Sequence, residues 1–201
     1  GFADETASES PAPGGGSISA YLGALGASLA AMVANLSSHK AGWDDRWEEF
    51  SDWAEKGQKL NAELIHLVDE DTLAFNKIMD AFGLPKGNDE EKATRTAAIQ
   101  EATRYAIEIP FMVMKKSYAA LEILKAMAET GNPNSVSDAG VGALAVRSAV
   151  MGAFLNVKIN ASGLNDKAFV AEVLAEGAEI ERKTREEEKI ILEIVNTKIN
   201  N

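Results

Sequence analysis

Residues 14–38 read GGGSISAYLGALGASLAAMVANLSS, and they are the most informative segment for the fold. Its consecutive glycines interrupt regular structure, and the hydroxyl of Ser17 can then cap a helix that runs to about Ser38. One face of this helix consists of the small residues Gly23, Ala27, Ala30 and Ala34. Because such small side chains let another helix approach closely, the stretch predicts a central helix of a helical protein.

The same helix has to be compared with a membrane span. No Asp, Glu, Lys or Arg occurs between Ser10 and Ser38, and residues 18–36 approach the length that crosses a bilayer. The helix is nevertheless built largely from Ala, Gly and Ser, and acidic rather than basic residues precede it. We therefore predict a buried helix, and no membrane partner.

Helical periodicity continues along the rest of the chain, which has only five prolines and no alternating run that predicts a strand. Four further helices are predicted. The first two run from Asp44 or Asp45 to Gly83, with a break near Gly57, and from Asn88 or Asp89 to Gly131, with a kink at Pro110. The other two run from the 134–138 segment to about Asn160 and from near Asn165 to the C-terminus. We expect an all-α fold, an antiparallel bundle of about five long helices in a single domain over residues 1–201. The small, apolar first and fourth helices indicate central elements and a dimer contact.

Charge and residue counts restrict the class of protein. The chain has 20 basic and 31 acidic residues, a net charge of -11, which disfavours nucleic acid or an anionic membrane surface as a partner. It has no cysteine and only two histidines, so neither a disulfide framework nor a thiolate or histidine-rich metal site is expected. The expected compartment is the cytoplasm, and no metal is expected.

Three segments are candidates for chemistry. The first is the segment from Pro11 to Ser17, with Pro13, Gly14, Gly15, Gly16 and Ser17 at its centre. It lets a ligand approach the backbone and the free N–H groups of a helix, although a tight turn before a helix explains the same residues. In the second, Val68 to Phe75, Asp71 and Phe75 share one side of a helix, and Asp71, like Asp69, is either a partly buried acid or base or part of an exposed face. In the third, Asp138 either carries chemistry or caps the fourth helix.

An ordered set of motifs spans nearly the whole chain. They are SPAPGGGS at 10–17, MV at 32–33, LPK at 84–86, SD at 137–138 and FLNVKIN at 154–160. In this order and spacing the chain resembles the formiminotetrahydrofolate cyclodeaminase and methenyltetrahydrofolate cyclohydrolase family, which includes the cyclodeaminase domain of formiminotransferase-cyclodeaminase. The resemblance implies a helical dimer that binds folate.

The activity that the resemblance implies is that of a lyase. It would close 5-formiminotetrahydrofolate to 5,10-methenyltetrahydrofolate and release ammonia, in histidine degradation and one-carbon metabolism. The implied partners are a tetrahydrofolate derivative, including polyglutamylated forms, a second copy of the chain, and a formiminotransferase, fused or separate. No cofactor beyond the folate substrate is expected.

The reaction needs groups that move protons and groups that hold the substrate. Asp138 is the first candidate for proton transfer or for stabilising the cationic amidinium, with Asp71 as the second carboxylate. Lys86 follows a Gly/Pro loop and is the candidate partner of the folate glutamate carboxylate, with Lys40 as the weaker candidate. Two asparagines one helical turn apart, Asn156 and Asn160, either bond the pterin edge or tie helices together.

Two other functions stay open at this point. A cyclohydrolase would add water to the methenyl carbon at the same kind of site and open the ring to 10-formyltetrahydrofolate. A noncatalytic folate-binding or helix-packing module would fit the small-residue helix and the lack of a metal or nucleophile motif. The chain begins at Gly1 without an initiating Met, which we interpret as a shortened protein or the C-terminal part of a bifunctional transferase.

Overall fold

The computed structural model describes residues 1–200, and within them all regular structure is helical. The helices are α1 (Phe2–Thr6), α2 (Gly15–Ser38), α3 (Trp47–Gly83), α4 (Asp89–Thr130), α5 (Val136–Ala161) and α6 (Lys167–Ile199), with short 3-10 turns at Asp44–Arg46 and Pro133–Ser135. The all-α prediction and its five long helices are confirmed. The short α1 was not predicted.

Each long helix runs antiparallel to the one before it. On α2 and α3, an added Cβ on Gly23 would meet Leu64 and one on Gly57 would meet Ala31, so the residue numbers of neighbours run in opposite directions. In the same way Ala106 and Leu124 of α4 lie beside Asn160 and Gly142 of α5, respectively. The α4 helix packs against all four other long helices, and it forms the centre of the bundle.

The small residues of α2 allow two close helix approaches. A Cβ added to Gly26 would lie 3.1 Å from the carbonyl oxygen of Gly142 on α5. A Cβ added to Gly57 on α3 would lie 2.9 Å from the Cβ of Ala31. The predicted break at Gly57 is therefore wrong: α3 is continuous there, and the glycine is the point at which α2 and α3 cross.

The helix ends agree only in part with their predicted caps. Asn88 caps α4, since its Oδ1 accepts a hydrogen bond from the N–H of Glu91 at 2.9 Å. Ser17 does not cap α2: the N-cap residue is Gly14, and Ser17 lies in the first turn. The prediction fails because the Ser17 hydroxyl instead donates to a carboxylate on α3.

Two helices are long and apolar enough to cross a membrane by length and composition, the one at Gly15–Ser38 and the stretch Pro133–Ala161. Of the most apolar 18 residues in each, 61% in the first and 50% in the second are buried inside the bundle. On α2 the buried residues include the predicted face of Gly23, Ala27, Ala30 and Ala34. Both helices therefore contribute one side to the common core.

Candidate active site

A pocket of about 200 Å³ lies at the end of the bundle where α2 begins. Four helices and the segment before α2 supply its walls: Pro11, Ala12, Gly14, Gly15, Gly16, Asp71, Ala74, Phe75, Ile78, Ala106, Asn156 and Asn160. Pockets that enclose a drug-sized ligand measure roughly 300–1,000 Å³. This pocket is therefore large enough to enclose only part of a drug-sized ligand.

Asp71 is the ionisable group of this lining. Its side chain is half-buried, and its Oδ2 accepts a hydrogen bond from the Ser17 hydroxyl at 2.8 Å. Burial raises the pKa of Asp71 above its ordinary value, whereas the Ser17 hydroxyl and backbone N–H partly offset that rise. A carboxyl with raised proton affinity in a pocket is suited to accept and return a proton.

Gly16 is required for this arrangement. Any Cβ on residue 16 would overlap the Asp71 carboxylate, because that carboxylate packs directly against the first turn of α2. The glycine loop therefore admits a side chain from α3 to the beginning of the helix, where backbone N–H groups favour negative charge. The structure brings together the first two segments that the sequence singled out.

Asn156 and Asn160 lie on the wall that α5 supplies. The Nδ2 of Asn156 donates to the carbonyl of Gly152 at 3.0 Å, and the Nδ2 of Asn160 donates to the carbonyl of Ala106 on α4 at 2.7 Å. Asn160 therefore ties two helices together and also lines the pocket. The helix-tying alternative is confirmed for Asn160, and its contact with a pterin edge stays a prediction.

The other predicted site residues lie elsewhere in the chain. Asp138 is in the first turn of α5, 18 residues before Asn156, which is about 27 Å along the helix. Lys40 follows the far end of α2, and its ammonium lies 4.1 Å from the centre of the Trp43 ring. Within one chain, the structure brings neither residue to Asp71.

Lys86 and Pro13 lie closer to the pocket without lining it. Lys86 is exposed in the connection between α3 and α4, beyond the end of α3 at Gly83. Five residues, roughly 7.5 Å of helix, separate Gly83 from the lining residue Ile78. Lys86 is therefore at the same end of the bundle as the pocket mouth, and Pro13 is adjacent to the lining residues Ala12 and Gly14.

Two lining residues, Ile78 and Ala106, lie outside the segments that the sequence singles out. Apolar side chains carry no chemical signal of their own, so only their placement reveals them. For Ala106 a signal existed in Pro110, which occurs four residues later and removes a helical hydrogen-bond donor.

No group of three or more His, Cys, Asp or Glu side chains able to hold a metal ion occurs among residues 1–200. The pocket lining contains no Lys or Arg, so its charge comes from Asp71. A site of this kind favours a ligand whose reacting end is cationic or donates hydrogen bonds.

Comparison with known proteins assigns the chain to a family. The family model for formiminotransferase-cyclodeaminase matches residues 1–179. The chain belongs to this family. Over 199 residues it is 38% identical to the methenyltetrahydrofolate cyclohydrolase of Methylorubrum extorquens, a match that covers 99% of the chain and 96% of that protein.

The chain is also similar to an animal enzyme and to a solved structure. The chain is 35% identical over 169 residues to the formimidoyltransferase-cyclodeaminase of Mus musculus, covering 84% of the chain and 31% of the mouse protein. It therefore spans about a third of that relative's length. The crystal structure of formiminotetrahydrofolate cyclodeaminase from Thermotoga maritima superposes with a TM-score of 0.81 at 29% identity, covering 96% of this chain and 93% of the other.

Proposed function

We propose that the chain is a formimidoyltetrahydrofolate cyclodeaminase, which converts 5-formiminotetrahydrofolate to 5,10-methenyltetrahydrofolate and ammonia. The observation that carries the proposal is Asp71, a half-buried carboxylate whose burial raises its pKa, in a pocket without Lys or Arg. The names of the mouse relative and of the Thermotoga maritima structure support the same chemistry.

The reaction can be written around one carboxylate. The N10 amine attacks the formimino carbon, and Asp71 receives the proton that N10 loses. Asp71 then returns this proton to the formimino nitrogen, and a second proton from solvent completes the ammonia. The bond from carbon to this nitrogen breaks as the 5,10-methenyl cation forms. A single group that first accepts and then donates a proton suffices for these steps.

The charge of the pocket supports the same reaction. Both the intermediate with its leaving nitrogen protonated and the methenyl product are cations, and a carboxylate within a few ångströms stabilises positive charge. The folate glutamate carboxylates would be repelled by Asp71, and the small pocket leaves them outside. Lys86, exposed at the same end of the bundle, is the proposed partner of these carboxylates in mono- or polyglutamylated folate.

A second candidate activity is that of a methenyltetrahydrofolate cyclohydrolase. The observation in its favour is the Methylorubrum extorquens relative, which matches the chain over nearly the full length of both proteins. Here Asp71 would take a proton from water as the oxygen adds to the methenyl carbon, and the ring would then open to 10-formyltetrahydrofolate. The reacting carbon is again the one between N5 and N10.

Several features of the cellular role belong to the proposal. A cyclodeaminase acts after a formiminotransferase, and animal relatives named for both activities support a place in histidine breakdown. We propose cytoplasmic localisation, a homodimer, and chemistry that needs neither a metal nor a cofactor besides folate. Asp138 and Lys40 stay outside the proposed single-chain site, because both lie at the other end of the bundle.

The test supplies the purified chain with 5-formiminotetrahydrofolate and follows methenyl absorbance together with ammonia release. We expect both signals, and we expect Asp71→Asn to lower kcat by roughly 100-fold or more, as for loss of a general acid–base group. The matched control is Asp69→Asn, since Asp69 is exposed on the same helix two residues earlier. Its turnover should stay within a few-fold of wild type.

Each other outcome has a definite meaning. Hydrolysis of 5,10-methenyltetrahydrofolate without ammonia release would establish the cyclohydrolase. Folate binding without either turnover would establish a noncatalytic module. Full turnover by the Asp71→Asn variant would remove Asp71 from the mechanism.

A further inference from the structure

Pro110 lies inside α4 and alters the hydrogen bonding of the pocket wall. In a regular helix the N–H of residue 110 would donate to the carbonyl of residue 106. Proline has no N–H, and its ring crowds that carbonyl. The carbonyl of Ala106 therefore has no donor from its own helix at this position, and Ala106 lines the pocket.

Asn160 supplies the missing donor. Its Nδ2 lies 2.7 Å from the Ala106 oxygen, across the contact between α5 and α4. The partner is a carbonyl, which only accepts hydrogen bonds, so the nitrogen rather than the oxygen of the amide must face it. The interaction therefore fixes which way round the Asn160 amide sits.

Asn156 is oriented by a separate contact. Its Nδ2 donates to the carbonyl of Gly152, one turn earlier on the same helix, at 3.0 Å. Among residues 1–200 no donor is found for the Oδ1 of Asn156 or of Asn160, although both residues line the pocket. The α5 wall thus offers amide oxygens, and the pocket as a whole accepts hydrogen bonds.

We propose that Pro110 is a positioning residue of the folate site: by leaving the Ala106 carbonyl without a helical donor it holds the Asn160 amide so that Oδ1 accepts a hydrogen bond from an N–H of the ligand. The inference rests on the proposed function and specifies which hydrogen-bonding groups the ligand presents to the α5 wall. An edge with N–H donors, such as the amino and ring N–H groups of a pterin, satisfies the Oδ1 atoms of Asn160 and Asn156. A carbonyl edge does not.

Pro110 lowers the stability of α4 but favours binding of the ligand. Pro110→Ala restores the N–H to the Ala106 carbonyl and releases the Asn160 amide. Since an alanine is a much better helix former than a proline, Tm should stay within about 2 °C of wild type or rise. KM for 5-formiminotetrahydrofolate should nevertheless increase roughly three- to tenfold, the range for loss of one hydrogen bond, with kcat within about twofold.

A double-mutant cycle tests the connection between the two residues. Asn160→Ala should raise KM by a similar factor and lower Tm by roughly 4 °C, because the Ala106 carbonyl is then left without any donor. Adding Pro110→Ala to Asn160→Ala should raise KM no further and should recover most of the lost Tm. Asn156→Ala is the matched control, because Gly152 and not Ala106 holds it, so its effect on KM should multiply with that of Pro110→Ala.

The outcomes separate this inference from the proposed function. Unchanged KM in Pro110→Ala, or effects of Pro110→Ala and Asn160→Ala that multiply in KM and add in Tm, would overturn the inference while the activity stands. If neither reaction is catalysed and tetrahydrofolate fails to bind in calorimetry, the proposed function fails and the ligand role of Asn160 fails with it. The Tm cycle would in that case still decide whether Pro110 and Asn160 are coupled through Ala106.

Discussion

Asp71 is subject to two opposing effects, and their balance decides how its charge affects stability. Burial raises the pKa of this carboxyl, and the hydrogen bonds from Ser17 lower it by a smaller amount. The folded state therefore favours the neutral acid. This contribution is fully present below the ordinary pKa of 3.8 and is lost as the pH rises through the higher folded pKa. At neutral pH the ionised Asp71 is a cost to folding.

We therefore predict that Asp71→Asn is more stable than wild type at pH 7 and that the difference shrinks toward pH 3. The asparagine oxygen still accepts the hydrogen bond from Ser17, and no charge has to be buried. Urea unfolding of both proteins at several pH values measures the difference in free energy of unfolding. A destabilised Asp71→Asn at pH 7 would show instead that the charge of Asp71 stabilises the first turn of α2.

The sequence predicts the position of Asp71 better than that of Ser17. Asp71 and Phe75 were assigned to one side of a helix, and both line the pocket. Ser17 was assigned to a helix cap because a serine after glycines usually caps. Its actual partner is 54 residues away in sequence, and no local pattern records a contact between two helices.

Among the helices, the contact between α2 and α3 depends on Gly57. Gly57 faces Ala31, and an added Cβ would lie 2.9 Å from the Ala31 Cβ and 3.0 Å from its backbone nitrogen. A backbone atom cannot rotate away, so the helices must separate. The intrinsic helix preference of alanine over glycine, roughly 1 kcal/mol, opposes this cost, and overpacking of about 1–3 kcal/mol exceeds it.

We predict that Gly57→Ala lowers the free energy of unfolding by about 1 kcal/mol, although alanine favours helices. Gly83→Ala is the control at the end of the same helix, since an added Cβ there meets nothing within 4 Å. That variant should be neutral or slightly stabilised. Thermal and urea unfolding measure both changes. A change in the free energy of unfolding with the same sign in the two variants would contradict a close crossing at Gly57.

The sequence predicts where helices end better than it predicts how they pack. Helix limits followed from breakers such as Gly83 and Gly131, because these act locally. Gly57 predicts a break because glycine weakens an isolated helix, whereas in the structure its small size lets α2 pack closely against α3. The separation of Asp138 from Asp71 does not follow from a local pattern either, since it depends on the directions in which α3 and α5 pack.

An apolar surface lies on α2 and α5. Its large side chains are between 38% and 70% exposed: Tyr21, Leu25, Met32, Leu36, Val141, Leu144, Leu155 and Ile159. Leu25 and Val141 each precede the glycine at the closest approach of the two helices, Gly26 or Gly142. A residue that precedes another in a helix is rotated from it by about 100° around the helix axis. Because α2 and α5 are antiparallel, this rotation places Leu25 and Val141 on the same side of the two helices.

This apolar surface is nearly uncharged in an otherwise acidic molecule. Between Ala139 and Ile159 the charged residues are the exposed Lys158 and Arg147, and Arg147 pairs with Glu188 on α6 at 3.2 Å. Two copies with a net charge of -11 each repel one another, and contact with few charges reduces that cost. A continuous apolar face of this length on a protein surface marks an association site, and a second copy offers the same nearly uncharged surface.

We predict that the wild-type chain is a dimer through this surface and that Leu25→Glu or Val141→Glu dissociates it. Two-fold symmetry places each new carboxylate in the interface twice, so Kd should rise on the order of 100-fold or more. Met79→Glu is the control, because Met79 is comparably exposed on α3, outside this surface. Sedimentation equilibrium measures the mass, with circular dichroism confirming retained helix. A wild-type monomer, or a dimer that both glutamates leave intact, would show that the second copy does not bind here.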